Sequence, residues 1–262
     1  MKDWLTKNTK CVVLAAGRGK RMLEVGQEIP KVMVEVGGMP LLGWTIDYWS
    51  AFSRDFVFVV GYRKELITEY VAGLKGGLKD GLEGGAKIIS YNFVEQKQPR
   101  GIAHAVECAR EFIEDKFILV LGDCVCRGNF EPAPGCSGGR VMSQGFGVWE
   151  TDNPRYIKQS YSVEIKDGLV AGVVEKPKGL VNNLCGMGFY FFNGKVFDYI
   201  KKTPPSALRG EVEITDVLQN MVSSGERLSP VFFKGEYLNV TSPEDIKTAE
   251  RILKWTSDGL NF

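Results

Sequence analysis

Short apolar runs alternate with helical patterns along the first half of the chain. Four strands are predicted: 11–16, 56–60 and 117–121 are almost continuously apolar, as strands buried on both faces are, and 87–93 combines apolar residues with Lys87, Ser90 and Asn92. Three segments between them carry apolar residues at helical spacing: 40–52, 64–74 and 102–112. This alternation predicts an α/β protein with a Rossmann-like, mostly parallel sheet and helices on both faces. In such sheets ligands bind beyond the carboxyl ends of the strands, so the residues after Ala16 and after Leu121 are the first candidates for a site.

The second half is richer in strand patterns. The predicted strands there are 141–149, 161–165, 169–174 and 188–192. Helices are predicted over 215–223 and 243–255, the second with Ser242 as its N-cap. We therefore expect one domain, 1–262, in which a strand-rich lobe of about 136–262 adds a second pocket to a first half of about 1–135.

Charge and composition narrow the possible partners. The formal net charge of +1 gives no global attraction to nucleic acid or to an acidic membrane, so any anion must be held by a local site. The N-terminal segment lacks the apolar core of a signal peptide, and no apolar run is long enough to span a bilayer. We expect a cytoplasmic protein with reduced cysteines, no nucleic-acid or membrane partner, and small-molecule substrates. A homo-oligomer is possible.

A glycine-rich turn follows the first predicted strand. Gly17 and Gly19 allow the backbone to turn sharply and to point N–H groups at an anion, and Lys20 and Arg21 add positive charge. The Walker phosphate loop is excluded because Arg21 stands where Ser or Thr is needed. The dinucleotide fingerprint is excluded because Met22 replaces its third glycine, which disfavours a dehydrogenase. By itself, the turn is as well explained by a plain tight turn.

Further motifs along nearly the whole chain resemble the sugar-phosphate nucleotidyltransferases. This family includes glucose 1-phosphate uridylyl- and thymidylyltransferases and N-acetylglucosamine 1-phosphate uridylyltransferase. The matching segments, in chain order, are L-A-A-G-x-G-x-R-M at 14–22, P-K-V at 30–32, G-x-P-L-L at 38–42, Gln96 with G-I-A-H-A at 101–105, L-G-D at 121–123, E-K-P at 175–177, G-M-G-F-Y-F at 186–191, E-I-T-D at 213–216 and Y-L-N-V at 237–240. Their number, order and spacing are hard to produce by chance.

The resemblance implies a role for each matched residue. The catalytic residues would be Arg21, Lys31, Asp123 and Lys176. Nucleotide binding would fall to Ala15, Ala16, Gly17, Gly19, Gln96, Gly101 and Asp123. The sugar phosphate would be bound by Glu175, Lys176, Gly186 and Ser162, with Gly186 leaving room for the sugar ring. Asp123 and Asn239 would bind Mg²⁺, the expected cofactor.

The chemistry of these residue types agrees with the implied reaction. A sugar phosphate oxygen would attack the α-phosphorus of a nucleoside triphosphate in line, releasing pyrophosphate. The nucleophile is already an anion, so catalysis reduces to positioning and charge neutralisation. Arg21 suits the β- and γ-phosphates because its guanidinium binds oxygen pairs, and Lys31 suits the α-phosphate. The amide of Gln96 can donate to a uracil or thymine carbonyl and accept from N3–H, so UTP or dTTP is expected.

Three departures from the family pattern are visible. Lys20 stands where most relatives have Thr, Asn239 where many have Asp, and Ser162 where a glycine near the sugar is usual. The Lys20 departure is tolerable. Asn239 removes a negative charge from the expected metal site, and Ser162 leaves the identity of the sugar open. His104, the single histidine, lies among apolar residues and is interpreted as packing.

Two other functions remain open on the sequence. A cytidylyltransferase acting on a polyol or choline phosphate has a similar N-terminal region, although E-K-P with the strand after it favours a sugar. A nucleotide-sugar sensor without catalysis is a different class. The retained Arg21, Lys31, Asp123 and Lys176 argue against it.

Overall fold

A computed structural model describes residues 9–19, 29–75, 88, 90–131, 142–206 and 210–254. Within these residues the strands, labelled β1 to β12, are Lys10–Leu14, Glu35–Val36, Met39–Pro40, Asp55–Val60, Ser90–Glu95, Phe117–Leu121, Cys124–Glu131, Gln144–Glu150, Tyr161–Lys166, Leu169–Glu175, Leu184–Phe192 and Leu228–Asn239. The helices, labelled α1 to α7, are Leu41–Ser50, Lys64–Lys75, Gly101–Cys108, Pro154–Gln159, Lys195–Lys202, Ile214–Ser223 and Pro243–Lys254. Two short 3-10 helices cover Lys31–Met33 and Arg110–Phe112.

The first half of the chain forms a parallel sheet in the order β5-β4-β1-β6. Its central strand β1 places Val12 opposite Val57 on one side and Leu119 on the other. The side chains of β1, β4 and β6 are buried on both faces, as their continuous apolar runs predict. Each fully buried Val, Leu or Phe side chain contributes about 1.5–3 kcal/mol to the free energy of folding. These strands therefore form a stable base for the turns that follow them.

Helices cover both faces of this sheet. On one face α3, α5 and α6 pack on the sheet through Val106, Val196 and Leu218. On the other face α1 and α2 pack through Ile46 and Ile67. The predicted α/β class is therefore confirmed.

The second half extends the same sheet. Strand β11 pairs antiparallel with β6, and the order then runs β11-β8-β12-β7. Strand β12 is parallel to β8 and antiparallel to β7. Strands β9 and β10 form an antiparallel pair that joins β11 near Cys185. This arrangement brings the start of β9 and the ends of β10 and β12 toward the edge at which the parallel strands end.

No helix of the described residues is long and apolar enough to cross a membrane.

Candidate active site

The carboxyl ends of β1, β4 and β6 meet at one edge of the sheet. A side-chain carbon added at Gly61, after β4, would lie 3.0 Å from Cβ of Ala16, so the absence of a side chain allows the two turns to touch. Gly122, after β6, donates its N–H to the carbonyl of Leu14 at 3.0 Å. These turns form one wall of a cavity of about 780 Å³. The edge predicted for a ligand is therefore concave.

The glycine-rich turn lines this cavity through Ala16, Gly17 and Gly19. Gly19 has φ +63°, and an added Cβ there would lie 2.7 Å from Cβ of Lys31. Only glycine allows both the left-handed backbone and this close approach. Ala15, by contrast, does not line the cavity: it is fully buried and donates its N–H to Val59 O at 2.8 Å.

Arg21, the predicted ligand of the β- and γ-phosphates, lies outside the described residues, as does Lys20. A different arginine of the same turn lines the cavity. The guanidinium of Arg18 lies over the ring of Tyr62, with 5.2 Å between its carbon and the ring centroid. Such a contact restrains an otherwise mobile cation at the cavity wall.

Lys31 and Asp123 form an ion pair inside the cavity. Lys31 opens a 3-10 turn directly after Pro30, whose fixed φ holds the approach of the chain. Asp123 follows β6, and its backbone carbonyl accepts a hydrogen bond from Val240 N at 3.1 Å. The two side chains are only 15% and 20% exposed, so each charge would be costly without the other.

Asn239 lies beside this ion pair. It ends β12 and pairs across the ladder with Cys124, the neighbour of Asp123. Its side-chain oxygen Oδ1 is buried and has no hydrogen-bond partner. Leaving a buried acceptor unpaired costs about 1–3 kcal/mol, which indicates that a ligand normally satisfies this atom.

These oxygens fit a magnesium ion. Mg²⁺ takes one or two carboxylates and completes its octahedron with water and substrate phosphates. The carboxylate of Asp123 and the unpaired Oδ1 of Asn239 supply such a partial set of oxygen ligands. Among the residues that the structure describes, no group of three His, Cys, Asp or Glu side chains could hold a metal. A site that relies on phosphate oxygens for its remaining ligands agrees with that observation.

Gln96 and Gly101 line the same cavity and are hydrogen-bonded to each other. Gln96 follows β5 and is 9% exposed, and its amide Nε2 donates to Gly101 O at 3.0 Å. Gly101 has φ +85°, and an added Cβ would lie 2.9 Å from Glu211 Oε2. The Gln96 nitrogen also lies 3.0 Å from Nδ1 of His104. Both amide hydrogens are thus engaged within the protein, so the predicted donation from Gln96 to the base is not available in this arrangement.

A second cavity of about 380 Å³ lies beside the first. Glu175 and Lys176 line it; Glu175 contacts Nζ of Lys176 at 3.3 Å and accepts from Thr215 Oγ1 at 3.3 Å. Lys176 has φ +43°, a left-handed conformation that is unfavourable for a residue other than glycine. The two cavities share Ile102, Leu121 and Asn239. A ligand in each would therefore meet its neighbour next to the Asn239 side chain.

Two residues predicted for the sugar phosphate are placed differently. An added Cβ at Gly186 would lie 1.8 Å from the ring of Tyr161, so this ring, and not a sugar, fills the space that the glycine leaves. Tyr161 is held there by donating its hydroxyl to Met187 O at 3.0 Å, and it lines the second cavity itself. Ser162 is 6% exposed within β9 and lines neither cavity.

Several lining residues were not singled out in the sequence. They are Arg18, Tyr62 and Glu211 in the first cavity and Lys158, Thr215 and Tyr237 in the second. Thr215 and Tyr237 lie within matched motifs and could have been found there. Arg18 lies within the glycine turn, whereas Lys158 and Glu211 come from segments without a recognisable pattern.

The described cysteines do not contribute reactive thiols to the site. All five of them are free. Burial raises the pKa of Cys124 well above its usual value, and the neighbouring charge of Asp123 acts in the same direction. Burial likewise raises the pKa of Tyr237, whose hydroxyl accepts from Gly188 N at 2.8 Å. Both groups stay protonated at neutral pH; the Tyr237 hydroxyl joins β12 to Gly188 of β11 and lies 3.2 Å from Cys124 Sγ of β7.

Known proteins of similar sequence cover almost the same residues. The model of the nucleotidyl transferase family matches residues 10–256. UTP--glucose-1-phosphate uridylyltransferase AglF of Haloferax volcanii is 30% identical over 246 residues, which cover 94% of this chain and 96% of that protein. The bifunctional protein GlmU of Methanococcus maripaludis is 28% identical over 240 residues, and the match spans 91% of this chain but 53% of GlmU.

Solved structures show the same fold. UDP-glucose pyrophosphorylase in complex with UDP-glucose superposes with a TM-score of 0.77 at 22% identity, covering 95% of this chain and 99% of that one. The inositol-1-phosphate CTP transferase from T. maritima superposes with a TM-score of 0.75 at 20% identity, covering 98% and 100%. These structures show the fold, while the family match and the 30% identical relative establish that the chain belongs to the nucleotidyl transferase family and is an enzyme of its sugar-phosphate nucleotidyltransferase group.

Proposed function

We propose that the protein transfers a nucleotidyl group from UTP or dTTP to a sugar 1-phosphate and releases pyrophosphate. The observation that carries the proposal is that the two cavities adjoin at Asn239, beside the Lys31–Asp123 ion pair. A triphosphate in the first cavity and a sugar phosphate in the second would bring their reacting atoms together there. The name of the 30% identical relative, a UTP–glucose-1-phosphate uridylyltransferase, supports both substrate classes.

The reaction needs positioned cations and no general base. An oxygen of the sugar phosphate attacks the α-phosphorus, the bond from that phosphorus to the β-phosphate oxygen breaks, and pyrophosphate leaves. Lys176 holds the acceptor phosphate, and Lys31 faces the α-phosphate once it leaves Asp123. Arg21 binds the β- and γ-phosphates, while the N–H groups of the turn at Gly17 and Gly19 approach the phosphate chain. Glu175 bonds to sugar hydroxyls.

Asp123 and Asn239 are the residues that would hold Mg²⁺. Bound magnesium supplies positive charge to the phosphate oxygens as the transition state develops. The chain offers one carboxylate and one neutral amide, so the nucleotide's own oxygens contribute much of the affinity. Metal and nucleotide binding should therefore be strongly coupled.

We expect UTP or dTTP to be used about ten- to a hundredfold better than CTP, ATP or GTP, because a mismatched buried polar group costs about 1–3 kcal/mol. The measurement is pyrophosphate release for all five triphosphates against a panel of sugar 1-phosphates, with a polyol phosphate and choline phosphate as additional acceptors. A preference for CTP with a polyol or choline phosphate would replace the proposal by a cytidylyltransferase. Absence of turnover with every pair would favour a nucleotide-sugar sensor.

Arg21→Ala and Lys176→Ala are expected to separate the two subsites. Arg21 adjoins the glycine turn, so its loss should raise the KM for the triphosphate about tenfold or more and leave the KM for the sugar phosphate nearly unchanged. Lys176 lines the second cavity, so its loss should show the opposite pattern. Bisubstrate kinetics on both variants provide the test, each variant serving as the control for the other. Equal effects on both Michaelis constants would show that the subsites are misassigned.

A further inference from the structure

The amide of Gln96 has an orientation that hydrogen bonding alone determines. Its terminal nitrogen lies 3.0 Å from the carbonyl oxygen of Gly101. A carbonyl oxygen has no hydrogen to donate, so the amide atom facing it must be the N–H₂ group. The backbone of Gln96 is fixed as well, since its N–H donates to Val60 O at 2.8 Å. The side chain is 9% exposed and has little room to move.

The same nitrogen identifies the state of His104. It lies 3.0 Å from Nδ1, which can accept a hydrogen bond only when it carries no proton. The proton of the neutral ring then resides on Nε2, which points toward Cys108 Sγ at 4.0 Å. Partial burial, followed by the charge of Arg100, lowers the pKa of His104, which favours this neutral form at pH 7; the opposing charge of Glu107 is the smaller effect.

One atom of the Gln96 amide is left for a ligand. Both hydrogens are engaged, by Gly101 and by His104, and Oε1 forms no hydrogen bond with the described residues. Gln96 lines the larger cavity, whereas His104 does not. The histidine can therefore influence a ligand only through the glutamine.

We propose that His104 is a positioning residue that holds the Gln96 amide with its oxygen toward the nucleotide base, so that the site requires an N–H donor from the base edge. The inference rests on the proposed function, because it assumes that a base binds beside Gln96. Uracil and thymine present N3–H as that donor, whereas cytosine presents an N3 lone pair that repels the oxygen. Without an acceptor at His104, only the Gly101 carbonyl still holds the amide nitrogen, so rotation that offers the N–H₂ to cytosine costs one hydrogen bond fewer.

Leucine and asparagine at position 104 form a matched pair of variants. Both branch at Cγ and have nearly the same size, but only asparagine places an oxygen acceptor near the position of Nδ1. We expect His104→Leu to lower the preference for UTP over CTP about three- to tenfold, the effect of one lost hydrogen bond. His104→Asn should keep the preference. The dissociation constants of UTP and CTP are determined by calorimetry in the presence of Mg²⁺, and their ratio is the quantity compared. A loss of active protein affects both constants equally and therefore cancels in the ratio.

A second pair of variants tests whether the effect passes through the glutamine. In a Gln96→Met background, which removes the amide but keeps the chain length, His104→Leu should change the ratio by less than about twofold. A similar loss of preference in both backgrounds would overturn the proposal, because His104 would then act independently of Gln96. Loss of preference in His104→Asn as severe as in His104→Leu would overturn it as well.

The single histidine allows a test that needs neither turnover nor nucleotide. Nitrogen NMR of the imidazole should show the proton on Nε2 at neutral pH. Gln96→Met should raise the pKa of His104, because it removes a hydrogen bond that stabilises the neutral ring. A proton on Nδ1, or an unchanged pKa, would contradict the inferred geometry. An inactive wild-type protein would refute the proposed function while leaving this test of the Gln96–His104 pair unaffected.

Discussion

Asp123→Ala is expected to lower kcat by about three orders of magnitude. The carboxylate lines the first cavity, forms an ion pair with Lys31 and accepts a weak hydrogen bond from Cys124 Sγ at 3.8 Å. Its removal takes away the charged ligand of the metal and leaves the ammonium of Lys31 without a partner. Both changes weaken charge neutralisation at the reacting phosphates. Single-turnover rates at saturating substrates and Mg²⁺ measure this loss.

The control is Asp198→Ala, which removes an exposed aspartate on α5 that lines neither cavity. It should retain the wild-type rate. Asn239→Asp should raise the apparent affinity for Mg²⁺ without changing the product, because it adds a negative charge at the unpaired Oδ1 position. Full activity of the wild-type protein in excess chelator would exclude the metal-assisted reaction altogether.

The central sheet could be predicted from sequence because its strands are apolar on both faces. The strand Phe117–Leu121 has the predicted bounds. Strand β5 was predicted at 87–93, whereas the structure has Ser90–Glu95, which is only half-buried and contains the polar residues Ser90, Asn92 and Glu95. That shift matters for the site because Gln96 follows β5 directly. Predicted ends of strands are least certain where burial is incomplete.

Strand β12 was missed because it contains residues that usually interrupt strands. Pro230 and Gly235 both lie within Leu228–Asn239. Gly235 pairs with Gly128 of β7, and a Cβ on either would lie 2.1 Å from a backbone oxygen of the other strand. These glycines permit the two strands to approach closely. That role becomes visible only when the pairing of the strands is known, so it cannot be recognised in the sequence. The position of Asn239 at the end of β12 could therefore not be anticipated.

Motifs identified residues of the site but not their contacts. Gly186 was expected beside a sugar because the motif contains a glycine there, yet the motif does not reveal that Tyr161 packs on it. His104 was interpreted as packing because a lone histidine among apolar residues gives no other indication. Its bond to Gln96 depends on the left-handed conformation at Gly101, φ +85°, which brings the strand end back to the helix. Contacts of this kind depend on the backbone conformation of turns, which cannot be deduced from the residue types alone.

The second large effect is expected for Lys31→Met. Loss of the ammonium should lower kcat about a hundred- to a thousandfold, as removal of one transition-state donor does in other enzymes. The same substitution should strengthen binding of Mn²⁺, used as a probe in place of Mg²⁺, to the nucleotide-free protein by about tenfold. The reason is that Lys31 neutralises Asp123 in the structure and therefore competes with a metal for the carboxylate. Electron paramagnetic resonance of free Mn²⁺ measures the affinity directly.

Opposite changes in turnover and in metal affinity distinguish this arrangement from a general structural role of Lys31. Lys31→Arg keeps the charge and should leave Mn²⁺ affinity close to that of the wild-type protein. Lys195→Met is the matched control, because Lys195 forms an ion pair with Glu226 at 3.0 Å and lines neither cavity. It should change neither quantity.

Weaker Mn²⁺ binding in Lys31→Met would mean that the lysine supports the metal site instead of competing for it. Asp123 would then have to bind the lysine and the metal at the same time, and the triphosphate would not be needed to draw Lys31 away.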